Sequence, residues 1–365
     1  MTKKNLSYHQ ADKLFRESSV NELAQTDAGL RFLLLRSMSR AELLKKLARD
    51  DGMAIDSVPA KDLLRELFES SVSTDTIKGF ITSEYAKERI LRKKNEASLI
   101  NELYQVRDFD WGGLYQNNLE KSIVDNYVKK IDSYRMICQA IDKKLYPSLR
   151  SYTLCSWYNH WTSIVIEDIF RDHISIIPSI GKIKQIDFFQ GDTPYDLKVT
   201  RFPEEYIALQ RKRDRQQPEL TVLKKVCKEL AIPISKDLSG SRLLEDLWCK
   251  ITDHPSDMAK TVVHDLKSFR DSILNAEKLN PISLIQWYYE NQGERRFDAS
   301  NRLFLILVDS NNYFNSWQLK RAKDLIQTEV HSSLDKMANK GGKKVSFKWN
   351  GKNYTVTSDV IFVVK

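Results

Sequence analysis

The chain has 365 residues, a formal net charge of +9, and 41% hydrophobic and 10% aromatic content, enough for a sizeable core and, as a prior, two domains. No run approaches 18 consecutive apolar residues, which excludes a helical membrane span, and Met1 to Gln10 holds no apolar stretch of the signal-peptide kind. Cys138, Cys155, Cys227 and Cys249 form no C-x-x-C pair, so neither a zinc site nor a disulfide framework is expected and a cytoplasmic home is.

The basic excess suits a polyanionic partner, because neutralising phosphates releases counterions. A soluble protein with a basic surface has the same composition. No Gly-rich phosphate loop of the P-loop or Rossmann type is present.

Residues 1–150 read as an almost wholly helical domain. Glu22 to Leu47 and Pro59 to Ser70 carry apolar residues at three- and four-residue spacing. A long charged helix is predicted from about Thr82 to Tyr104, with Arg89, Arg92, Lys93 and Lys94 on neighbouring turns. These either form a solvated face or contact phosphates. Asp110-Trp111-Gly112-Gly113 reads as a turn, and a helix follows from about Asn118 to Leu145, ended by Tyr146-Pro147. Leu44 to Leu67 and Leu223 to Leu247 resemble each other, each reading as helix, loop and a second helix with a Leu-Leu pair. The first copy is loosely similar to SAP-type helix-loop-helix modules, some of which bind DNA. A plain packing unit would look the same.

The second domain, 151–365, opens on an amphipathic helix, Trp157 to Arg171, bearing His160, Glu167 and Asp168. Then Ile183 to Thr200 reads IKQIDFFQGDTPYDLKVT. Two β-like runs flank Gly191-Asp192, a good pair for a two-residue hairpin turn. Counting outward sets Gln190 against Thr193, Phe188 against Tyr195 and Asp187 against Asp196. Lys198 lies two residues beyond Asp196 on the same strand face. Directly opposed like charges destabilise a hairpin, and a divalent cation removes that conflict. Mg²⁺ is commonly held by one or two carboxylates plus water and phosphate oxygens.

An acid on one strand and acid-x-Lys on the next resembles the PD-(D/E)xK nuclease superfamily, through Asp187 and Asp196-Leu197-Lys198. Ile186 stands where that motif has Pro. The resemblance implies a restriction-endonuclease-like α/β core, a mixed sheet flanked by helices, with an N-terminal helical domain and a helical insertion. It also implies Mg²⁺ (with Mn²⁺ as a substitute) on Asp187, Asp196 and Glu167, and Lys198 as the catalytic amine. The implied activity is hydrolysis of double-stranded DNA by a homodimeric type II restriction endonuclease. Same-fold nucleases of repair, junction resolution or antiphage defence are the alternative, and a non-catalytic DNA-binding protein is the alternative of another class.

Beyond the hairpin, Pro203-Glu204-Glu205 starts a helix carrying Gln210, Arg211, Lys212, Arg213 and Arg215, a candidate DNA-backbone contact. The insertion spans about 204–300. Asn301 to Asp309, NRLFLILVD, reads as a buried central strand. A helix over Ser316 to Met337 and a terminal hairpin turning at Asn350-Gly351 complete the chain.

Overall fold

The computed structural model describes residues 6–55, 58–107, 109, 119–181, 183, 185–291, 300–349 and 351–365. Arg302–Val308 (numbered β4 among six strands) is buried at every position, as a strand must be when both faces are covered. The other strands are β1 (Ile176–Pro178), β2 (Phe188–Gln190), β3 (Thr193–Arg201), β5 (Lys343–Trp349) and β6 (Lys352–Val364). They form one mixed sheet in the order β1-β2-β3-β4-β6-β5. The β3–β4 and β4–β6 pairs are parallel and the others antiparallel. The protein is thus α/β, with a mixed six-stranded sheet between helices.

The helices are α1 (Tyr8–Arg16), α2 (Val20–Ala24), α3 (Asp27–Met38), α4 (Ala41–Asp50), α5 (Leu63–Glu69), α6 (Thr74–Leu103), α7 (Leu119–Ile123), α8 (Tyr134–Ala140) and α9 (Tyr146–Arg171) ahead of the sheet. Then come α10 (Glu204–Arg213), α11 (Glu219–Glu229), α12 (Gly240–Thr252), α13 (Asp257–Leu279) and α14 (Ile282–Asn291) between β3 and β4, and α15 (Lys323–Lys340) after β4. On one sheet face Leu303, Leu305 and Leu307 pack with Val165 and Ile169 of α9 and Ile326 and Val330 of α15. On the other, Phe304, Ile306 and Val308 pack with Ile285, Tyr288 and Tyr289 of α14. Alternation along β4 therefore feeds two cores from one strand.

The N-terminal helices share their core with the sheet edge, since Leu33, Leu35, Leu47 and Leu67 belong to one cluster with Ile180, Ile186 and Phe189. The boundary read at residue 150 falls inside α9, a continuous helix. Pro147 does not end the preceding helix as expected. It sits in the first turn of α9, directly after the π segment Ile141–Leu145. The helix expected from about Asn118 to Leu145 is instead α7, a π segment Val124–Val128, α8 and a second π segment Ile141–Leu145. The charged helix begins a full two turns earlier than expected, at Thr74, because Ser73 caps it by accepting from the Thr76 N–H at 3.0 Å. A 3₁₀ segment, Tyr313–Arg321, takes the start of the helix expected over Ser316 to Met337.

Both copies of the internal resemblance are helical hairpins, α4–α5 and α11–α12. They bury matching leucines, Leu44, Leu63, Leu64 and Leu67 in the first, Leu223, Leu243, Leu244 and Leu247 in the second. Strand β1 had no counterpart in the sequence reading, since three residues ending in proline give no periodic signal. The turn expected at Asp110 to Gly113 lies outside the described residues, as does Asn350. Its neighbour Gly351 has φ +77°, and Trp349 pairs with Lys352.

Candidate functional site: two aspartates, a lysine and an arginine on β2, β3 and β4

The hairpin register is Phe188 with Tyr195 and Gln190 with Thr193, as counting outward from the turn requires. Gly191 takes φ +58°, the left-handed region that glycine occupies without steric cost. Below Phe188 the pairing departs from simple opposition. Asp187 precedes β2, and its N–H donates to the Tyr195 carbonyl at 2.8 Å. Its carboxylate Oδ2 accepts from the Leu197 N–H at 2.7 Å. The side chain is thereby clamped to β3 on either side of Asp196.

Asp196 is buried on β3 beside Arg302, its register partner on β4. Lys198 Nζ donates to Asp196 Oδ1 at 2.7 Å, and Arg302 Nε stands 3.4 Å from Oδ2. Arg302 is itself buried and lies over the Tyr289 ring, 5.1 Å from its centroid. Asn301 ties the strands together at this level. Its carbonyl accepts from the Asp196 N–H at 2.9 Å, its amide donates to the Pro194 carbonyl at 3.1 Å, and Oδ1 accepts from the Thr357 N–H at 2.8 Å. The carboxylates are held by backbone and β-sheet, not by mobile loops.

Burial and then the charge on Asp196 push the Asp187 carboxyl up to about 6, with Glu167 adding to the effect. The Leu197 N–H and the Lys198 ammonium pull the other way. Asp196 already has Lys198 and Arg302 beside it, while burial and Asp196 disfavour the charge on Asp187, and carboxylate oxygens so placed suit a hard cation such as Mg²⁺. Asp187 and Asp196 are the residues that would hold it. Glu167 is turned to its own helix, where its Oε2 pairs with Arg171 at 2.9 Å. Among the described residues no three carboxylate, imidazole or thiol groups are close enough together to enclose a metal. The structure thus brings Asp187, Asp196 and Lys198 together and leaves Glu167 at the margin.

Asp168, the neighbouring candidate, faces away. It is buried between Arg89 at 3.2 Å and Arg92 at 2.8 Å. Arg89 also pairs with Asp172 and Glu96, and Lys93 lies 3.6 Å from Asp172. Arg89 and Arg92 are thus engaged in packing on α9 and not on a phosphate-binding face, while Lys93 and Lys94 stay exposed. His160 makes an edge contact with Trp161.

The basic cluster after β3 divides. Arg211 is not a surface phosphate contact: it is buried, donates Nε to the Gln217 carbonyl at 2.7 Å and stacks over Phe269. Burial lowers its pKa. Lys212, Arg213 and Arg215 are exposed. Lys212 and Arg213 line a 640 Å³ cleft with Trp287 and Gln216.

Arg302 was missed by sequence reasoning. Its position at the head of NRLFLILVD was visible, but its partner lies across the whole insertion.

No protein family, no curated protein and no solved structure matches this chain. Among the described residues no helix is long and apolar enough to cross a membrane.

Proposed function

We propose that the chain is a Mg²⁺-dependent endonuclease that hydrolyses phosphodiester bonds in double-stranded DNA. The observation that carries this reading is the clamping of Asp187 beside Asp196, with Lys198 Nζ 2.7 Å from the Asp196 carboxylate. Asp187 and Asp196 would hold Mg²⁺, which would supply a more acidic water and neutralise charge on the scissile phosphate. Lys198 is half-exposed, so its ammonium can reach both Asp196 and a substrate oxygen. It orients the attacking water or stabilises the charged transition state. Arg302 helps hold Asp196 in place. In-line attack by water forms one P–O bond and breaks another, leaving a phosphate on one product and a hydroxyl on the other.

Within this reading the finer role is a cytoplasmic type II restriction endonuclease working as a homodimer, which sets two such centres against two strands. The test is incubation of the purified protein with plasmid and phage DNA in Mg²⁺ or Mn²⁺, beside Lys198→Ala and Asp196→Ala. Discrete fragments from the wild type and none from either variant are expected. A smear that both variants lose keeps the nuclease and replaces restriction by repair, junction resolution or defence. No cleavage of duplex, single-stranded or branched DNA, with binding unchanged in the variants, overturns catalysis and leaves a DNA-binding protein.

A further inference from the structure

Of the fourteen large apolar side chains that stand exposed among the described residues, eight lie between Tyr104 and Trp157. Seven belong to one arm, made of α7, the two π segments, α8 and the first half of α9, and Tyr104 stands beside it at the end of α6. Neither the first π segment nor α8 buries a side chain. These pieces pack on one another and on α9. The side-chain hydrogen bonds seen there are local, Lys129 to Asp125, Lys130 to Asn126 and Asn126 to Ser122. These segments follow one another without a break, α7 into the first π segment and α8 through the second into α9, so the arm is two continuous helical runs with apolar side chains left uncovered.

Both halves of a complementary contact are present on the same chain. The arm ends in Tyr134 and Met136, 84% and 60% exposed. At its base lies a 690 Å³ groove between the end of α6 and the start of α9, with Tyr146, Leu154 and Trp157 in its wall and Glu102 on its rim. Arg135 stands between the two apolar tip residues, a charge that Glu102 can meet. An aromatic side chain carries roughly 150–250 Å². Scaled by their exposures, the eight side chains offer about 800 Å² per chain, which is what one partner contributes to a standard interface. A surface that holds both tip and groove satisfies itself by two-fold exchange, each chain's tip meeting the other's groove.

We propose that this arm is the homodimer contact, with Tyr134 and Met136 of each chain seated in the groove lined by Tyr146, Leu154 and Trp157 of the second copy. The argument rests on exposed apolar area and on charge complementarity, not on the nuclease reading, so it stands or falls separately from DNA cleavage. Sedimentation of the full-length chain over a wide concentration range tests it. The wild type is expected to pass from monomer to dimer, and Tyr134→Asp/Met136→Asp to weaken the dimer by roughly tenfold or more. Both substituted side chains are exposed, and circular dichroism checks that the variant is folded. Thiol labelling of the wild type gives a second reading should the variant misfold. Cys138 lies on α8 and is partly exposed, while Cys249 is exposed on α12. Labelling of Cys138 is expected to slow as the dimer forms, with Cys249 unaffected. A monomer at every concentration, a dimer untouched by the double substitution, or Cys138 labelling that ignores dimer formation overturns the assignment.

Discussion

Asp187 carries the cost of the candidate site. Its carboxyl is pushed up to about 6 by burial and by Asp196, above the ordinary aspartate value, so the folded chain binds this proton more tightly than the unfolded one. Stability contributed here is present at low pH and is lost as pH rises through about 6. The rise from the ordinary aspartate value to about 6 corresponds to about 3 kcal/mol once Asp187 is ionised. Asp187→Asn should therefore raise the stability of the chelator-treated protein at pH 8 by about 1–3 kcal/mol and change it little near pH 4. Asparagine can still accept the Leu197 N–H, so the clamp survives. Urea unfolding at the two pH values measures this, and equal midpoints for variant and wild type at pH 8 would show that Asp187 is not held against its charge. Loss of stability by ionisation in exchange for a charged pair is what a functional site commonly imposes on a fold.

At the scale of elements, α6 sets the angle at which α9 meets the sheet. Arg89, Arg92 and Tyr85 converge on Asp168 and Asp172, and Glu96 on α6 adds contacts to Arg89 and to Lys323 of α15. Adjacent residues of an α-helix point about 100° apart, so fixing Asp168 inward turns Glu167 to another side, where it pairs with Arg171. Arg89→Met leaves three acids short of a partner and should destabilise by about 3–5 kcal/mol. A lowered urea midpoint with unchanged slope reads that out. A midpoint within experimental error of wild type would mean that the network is dispensable. This network was not legible in the sequence, because its two helices are some eighty residues apart and basic residues on a long helix look the same whether they face water or a buried acid. The hairpin register was legible, since a two-residue turn leaves nothing to adjust once Gly191 takes φ > 0. So was β4, whose unbroken apolar run has no place except between two layers. Arg211 was misread although a signal existed. It lies four residues beyond Ile207, which is buried, and that spacing puts both on one helix face.

For the whole molecule, a net charge of +9 matters through where its exposed part lies. Arg211 is inside and serves packing, whereas Lys212 and Arg213 are outside at the end of α10 and Arg215 is outside in the turn that follows it. If these three bind the DNA backbone, each should release counterions, and the slope of log affinity against log salt should fall by about 0.9 for each contact removed on duplex DNA. Lys212→Ala, Arg213→Ala and Arg215→Ala together are thus expected to flatten the salt dependence by up to about 3 units, weakening binding to all sequences alike, with the folded state unaffected. Arg211→Ala should do the opposite: it leaves the Gln217 carbonyl without its donor and the Phe269 face uncovered, and so lowers the unfolding midpoint. Binding to a fluorescent duplex at several salt concentrations separates the two. A slope unchanged by the triple substitution would remove this helix from the DNA path. The charge that draws DNA would then have to be sought elsewhere on the surface, while the pairing of Asp187, Asp196 and Lys198 would be untouched by that result.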